Sequence, residues 1–78
     1  MTGAQCRMAR AALGWNARKL ATKAGVGHNT VNRFESGAHQ PRGVTLEALR
    51  GALELAGVEF IAENGGGAGV RLRKAKPE

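Results

Sequence analysis

A chain of 78 residues with 42% hydrophobic residues, one cysteine and a net charge of +6 has room for one small domain, which buries only about 60% of the surface its unfolded chain exposes. The single cysteine, Cys6, excludes an internal disulfide and fits a reducing cytoplasm; no apolar run is long enough for a membrane span, and Arg7 and Arg10 interrupt the first residues before a signal peptide develops. The charge is lopsided: residues 1–34 carry Arg7, Arg10, Arg18, Lys19, Lys23 and Arg33 with no acid, whereas Glu35, Glu47, Glu54, Glu59, Glu63 and Glu78 all come later, leaving the rest of the chain neutral.

The first element is a helix over residues 4–13, AQCRMARAAL, rich in helix formers and closed by Gly14. Cys6, Ala9 and Leu13 give it a modest apolar stripe. WNARKLATKAG follows, in which Asn16 caps a second helix, Trp15 packs on Leu20 as a hydrophobic staple, and Gly25 ends the helix. The third helix starts at Gly27 or His28 and runs to about Glu35, with Val31 and Phe34 three apart on its inward face. Ser36 and Gly37 break it. After the linker AHQPRGV, Thr45 is the expected cap of a fourth helix, in which Leu46, Leu49, Leu53 and Ala56 recur at helical spacing up to Gly57.

From Val58 the period changes to two. Val58, Phe60 and Ala62 alternate with Glu59, Ile61 and Glu63; beyond NGGGA, Val70 and Leu72 alternate with Arg71 and Arg73. The expected hairpin sets Ala62 opposite Val70 and Phe60 opposite Leu72, with Glu59 across from Arg73 and Ile61 across from Arg71. An isolated pair of strands is at best marginal in water, so this one lies on the helices or pairs with another chain. Ile61, apolar on the charged face, favours the second option and makes Phe60, Ile61, Val70 and Leu72 the candidate dimer interface. The expected organisation is therefore a helical domain over 1–57, a hairpin over 58–74 and a disordered tail over 75–78.

Two short helices joined by a glycine turn, the second with polar residues outward, form the pattern of a helix-turn-helix. Small Ala21 lets the helices approach, Gly25 makes the turn, and Val31 with Phe34 anchors the second helix. The block LATKAGVGHNTVNRFESG carries a signature, apolar-small-x-x-small-Gly followed by T-V-x-R-F-E-x-G, by which residues 4 to about 57 resemble the phage-repressor-like (Cro/repressor, XRE-type) helix-turn-helix DNA-binding family. The resemblance implies a mainly α fold, a bundle of four or five helices that is usually dimeric and puts its third helix into the major groove of operator DNA. The C-terminal hairpin lies outside the shared core.

Transferred position by position, the base-contacting residues are His28, Asn29, Asn32 and Arg33. Their chemistry agrees independently, since an asparagine amide matches adenine N7 and N6 and an arginine makes the same two-pronged contact with guanine, each discriminating by about 1–3 kcal/mol. Thr30 is a candidate for a phosphate or a thymine methyl. Arg18 and Lys19 stand in the first turn of the second helix, where the helix dipole disfavours cations by roughly 0.3–1 kcal/mol each; phosphates against that helix end, held also by Asn16, offset this. Arg42 is a further phosphate candidate. In similar regulators an arginine on the first helix and a glutamate after the recognition helix form a structural ion pair, which implies Arg10 with Glu35 and takes Arg10 off the DNA-contact list.

Other chemistry finds little support. Cys6, His28 and His39 lack the spacing of a zinc site, GGGAG at 65–69 lacks the lysine and hydroxyl of a phosphate-binding loop, and no nucleophile, base and orienting acid fall together. The sequence therefore argues against an enzyme and requires no cofactor or metal. Its expected function is that of a cytoplasmic homodimeric transcriptional regulator, a repressor by preference, on a partly palindromic operator in double-stranded DNA. Two other readings stay open: an antitoxin-like interaction module whose hairpin grips a protein partner, and an architectural DNA-binding protein of low specificity.

Overall fold

The computed structural model describes residues 1–73. Four helices, α1 (Gly3–Leu13), α2 (Ala17–Ala24), α3 (His28–Glu35) and α4 (Gly43–Leu55), are followed by a hairpin of β1 (Val58–Ile61) and β2 (Gly69–Leu72). The expected mainly α fold with a terminal hairpin is what forms, with four helices rather than five among the described residues. Lys74, the last residue assigned to the expected hairpin, and the tail over 75–78 lie outside the described residues.

Each helix boundary has a local cause. α1 starts one residue earlier than expected because Thr2 and Gln5 form a reciprocal capping box: the Thr2 hydroxyl accepts from the Gln5 amide at 3.0 Å, and the Gln5 side chain accepts from the Thr2 amide at 2.9 Å. Gly14 and Gly25 close α1 and α2 in the left-handed region, both at φ 71°, where an L side chain would crowd the backbone. Asn16 caps α2 by accepting from the Lys19 amide at 2.8 Å.

The start of α4 departs from expectation. Thr45 is not its cap; the helix begins three residues earlier, at Gly43, with Arg42 as the extended N-cap residue and no side-chain cap bond. Pro41 is buried and leads the chain into Arg42 at φ −64° and ψ 159°, so the helix starts as soon as the chain clears the proline. Its first-turn amides have no side-chain cap among the described residues. At its other end α4 stops at Leu55, and Gly57 turns the chain at φ 110°.

One core joins all four helices and β1: Cys6 and Ala9, Leu20 and Ala21, Val31 and Phe34, Leu49 and Leu53, and Val58. The hairpin lies on α1 and α4, with Phe60 and Val70 packed partly buried against that core. Burial of a large apolar side chain stabilises by about 1.5–3 kcal/mol, which is what two strands alone lack.

The hairpin register differs from the expected one by two residues. Val58 faces Leu72, Glu59 faces Arg71, Phe60 faces Val70 and Ile61 faces Gly69, so Ala62 falls outside β1 and Arg73 lies beyond β2, its amide donating to the Gly57 carbonyl at 2.7 Å. A slip of two keeps every side chain on its own face, so the alternating pattern could not distinguish the two. Two tertiary features agree with the observed pairing. Glu59 and Arg71 form an ion pair at 2.8 Å, and the Gln5 amide nitrogen donates to both the Ile61 and Gly69 carbonyls, at 3.2 and 3.0 Å, where the strands part.

Candidate nucleic-acid interface

α2 and α3 pack on each other across the turn at Gly25. Leu20 and Ala21 on α2 and Val31 and Phe34 on α3 are all buried, and this leaves α3 no freedom about which face it turns outward. Asn29 and Asn32 are three residues apart, and Asn29 and Arg33 four, so the three share the face opposite the buried pair. All three are exposed, whereas His28 and Thr30 at the start of the helix are half-buried. The side chains of Asn29, Asn32 and Arg33 make no hydrogen bond or ion pair with any other described residue. Among the described residues, nothing occupies their amide and guanidinium groups.

The first turn of α3 adds to this. Gly27 is its N-cap residue and supplies no side-chain cap; the Thr30 amide donates to the Gly27 carbonyl at 3.1 Å, which leaves the His28 and Asn29 amides as donors beside the exposed face.

The phosphate candidates divide by what already holds them. Arg18 and Arg42 are exposed, and neither side chain has a partner among the described residues. The Lys19 ammonium lies over the Trp15 ring, 5.5 Å from its centroid, a cation–π contact that holds an exposed lysine beside the α2 N-terminus. Asn16 is the most changed of the set: its oxygen is committed to the Lys19 amide, so only its NH₂ is left to face an anion. Lys23, in the last turn of α2, is also exposed.

α1 braces the back of this unit. Arg10 and Glu35 form a two-pronged ion pair, Nη2 to Oε1 at 2.6 Å and Nε to Oε2 at 2.7 Å, with side chains only 18% and 7% exposed. The third arm of the guanidinium donates to the Trp15 carbonyl at 3.0 Å, so one arginine ties α1, the α1–α2 turn and the end of α3 together. Bonding to Glu35 raises the Arg10 pKa above its ordinary value, and the arginine stays charged.

Cys6 donates to Glu35 Oε2 at 3.3 Å. Burial first, and then the hydrogen bond and charge of Glu35, push the Cys6 thiol up to about 12 against the lowering effect of Arg10. A thiol so protonated is a packing group and a weak donor, not a nucleophile.

Two supports escaped the reading of the sequence. Gln5 is 5% exposed and uses its whole amide, the oxygen in the α1 cap and the nitrogen on the hairpin. The T-x-x-Q spacing announces the cap, but nothing local announces partners 56 and 64 residues away. Gly3 is the other: a Cβ there would overlap the Phe34 carbonyl oxygen and lie 3.1 Å from the Glu35 Cα, so α1 and the end of α3 meet backbone to backbone.

Of the candidate interface residues on the hairpin, Phe60 and Val70 face the chain's own core, Ile61 is half-buried and Leu72 is 49% exposed. Among the described residues no helix is long and apolar enough to cross a membrane.

A family model described as a helix-turn-helix domain matches residues 3–60, which takes in all four helices and most of β1. No curated protein matches the chain.

Proposed function

The chain belongs to the helix-turn-helix domain family, and we propose that it is a sequence-specific transcriptional regulator, a repressor of the phage-repressor-like type, that binds a partly palindromic operator as a homodimer. The observation that carries this reading is the outward face of α3, where Asn29, Asn32 and Arg33 are exposed and unpartnered among the described residues. An architectural protein of low specificity needs lysine and arginine against phosphates; amides that can match a base edge serve sequence. The acid-free run up to Arg33 supplies the long-range attraction to DNA.

In this reading α3 lies in the major groove, with His28, Asn29, Asn32 and Arg33 toward base edges. Asn16, Arg18, Lys19, Thr30 and Arg42 meet phosphates. Two copies related by a two-fold axis read half-sites about 34–36 Å apart, and the bound dimer represses by occluding polymerase.

Selection of bound sequences from a random duplex library tests the reading, followed by Asn29→Ala and Asn32→Ala on the selected site. Each variant is expected to lose about 1–3 kcal/mol on that site and far less on random duplex. A library with no enriched sequence, or equal losses on both DNAs, would reject base reading.

A further inference from the structure

α4 has an apolar face that its own chain leaves open. Leu49 and Leu53 are fully buried on one side of the helix, while Val44 and Leu55 are 86% and 88% exposed on the other. Between these two lie the half-buried Ala48 and the exposed Gly51, so the face runs at steps of four, three and four residues, the spacing of a helix–helix seam. Gly51 is unexplained from within. A glycine inside a helix costs roughly 0.5–1 kcal/mol against alanine, yet a Cβ at position 51 would meet nothing within 4 Å.

We propose that this face docks a second copy of the chain, the two α4 helices running antiparallel and crossing at Ala48 and Gly51. The positions are self-complementary. Val44 and Leu55 lie equally far on either side of a midpoint between residues 49 and 50, and so do Ala48 and Gly51. A two-fold axis at that midpoint sets Val44 against the partner's Leu55 and Ala48 against the partner's Gly51. Bulky groups then close the ends while the small pair lets the backbones approach. An isologous contact demands this symmetry, and a contact with an unrelated partner does not.

The area fixes the strength. Two large exposed apolar side chains and two small positions fall well short of the about 800 Å² that each partner gives a standard interface. The free dimer is therefore weak, with a dissociation constant in roughly the micromolar range or above. The proposal deepens the dimeric reading above and rests on it only for the DNA-bound state.

Sedimentation equilibrium of the full 78-residue chain without DNA, from about 10 µM to 1 mM, tests it. A monomer–dimer equilibrium is expected, weakened about tenfold or more by Leu55→Glu or Val44→Glu with the melting temperature of the monomer unchanged. Gly51→Ala is expected to raise the melting temperature and still weaken association. In a Val44→Cys/Leu55→Cys variant the two thiols of one chain are about 16 Å apart along the helix, too far for an internal bridge. Mild oxidation should therefore join position 44 to position 55 of another copy.

A chain that stays monomeric throughout would overturn the proposal, as would an equilibrium untouched by Leu55→Glu but abolished by Leu72→Glu, or bridges joining 44 to 44. Dimers that bind no operator would leave the seam standing and sink the regulator. Operator binding by a strict monomer would sink the seam and the homodimer together and leave base reading by α3 standing.

Discussion

Glu35→Gln tests whether α1 holds the end of α3 in place. The substitution keeps the shape of the side chain, removes its charge, and turns one of its two acceptor atoms into a donor. Two bonds between opposite charges, at 2.6 and 2.7 Å, become at most one bond from the guanidinium to a neutral amide oxygen, and a guanidinium only 18% exposed keeps the Trp15 carbonyl as its other anchor. Losing one partner of so enclosed a pair costs about 3–5 kcal/mol, and the Trp15 contact places this case near the lower end. A chain of this length has roughly 4–12 kcal/mol of stability in total, so a loss of about 3 kcal/mol lowers the melting temperature by roughly 12–24 °C. Circular-dichroism melts and urea titrations measure it directly. The companion Arg10→Met/Glu35→Leu removes both charges, and it should be more stable than Glu35→Gln alone because no charge is left unpaired. A loss below about 1 kcal/mol for Glu35→Gln, or a double variant no more stable than the single one, would refute the brace.

Cys6 gives the chain an alkaline limit: the unfolded thiol ionises near 9.0 and the folded one near 12. Its contribution is thus whole below pH 9 and lost as pH rises toward 12. The stability difference between the native chain and Cys6→Ala should shrink by about 1.4 kcal/mol per pH unit across that window; parallel curves would contradict it. Gly3→Ala should destabilise by roughly 1–3 kcal/mol, since its methyl would overlap the Phe34 carbonyl, and an unchanged urea midpoint would show that α1 can shift aside at no cost. Arg18→Ala and Lys19→Ala should weaken operator and random duplex alike and reduce the salt slope by about one counterion each. A slope that does not change would remove that residue from the phosphate contacts.

What the sequence made legible was written in local chemistry. Gly14 and Gly25 mark helix ends because they take a conformation other residues avoid, Asn16 marks a start because its oxygen reaches the Lys19 amide, and Val31 with Phe34 marks the buried face of α3. What stayed hidden was decided over distance or by symmetry of the pattern. Thr45 has the composition of a cap, but the exit from Pro41 sets where α4 begins. The hairpin pattern is indifferent to a slip of two, and the observed register coincides with an ion pair and with Gln5. The outer face of α4 stayed hidden for another reason: Val44 reads as part of the linker AHQPRGV, outside a helix capped by Thr45, and Leu46, Leu49 and Leu53 account for that helix without Leu55.

These contacts converge on α1, and that has a consequence for the outward face of α3. Gly3, Cys6 and Arg10 hold the C-terminal end of α3, and Gln5 holds the hairpin. None of the braces uses the outward side of α3. Stability is therefore supplied from behind, through Val31, Phe34 and Glu35, while Asn29, Asn32 and Arg33 contribute almost nothing to it. Changes at those three positions should stay within about 0.5 kcal/mol of the native stability, even where they abolish binding. A fold built in this way can change the residues it presents on α3 without changing what holds it together, whereas substitutions on the inward side of α3, at Val31 or Phe34, would lose the fold itself.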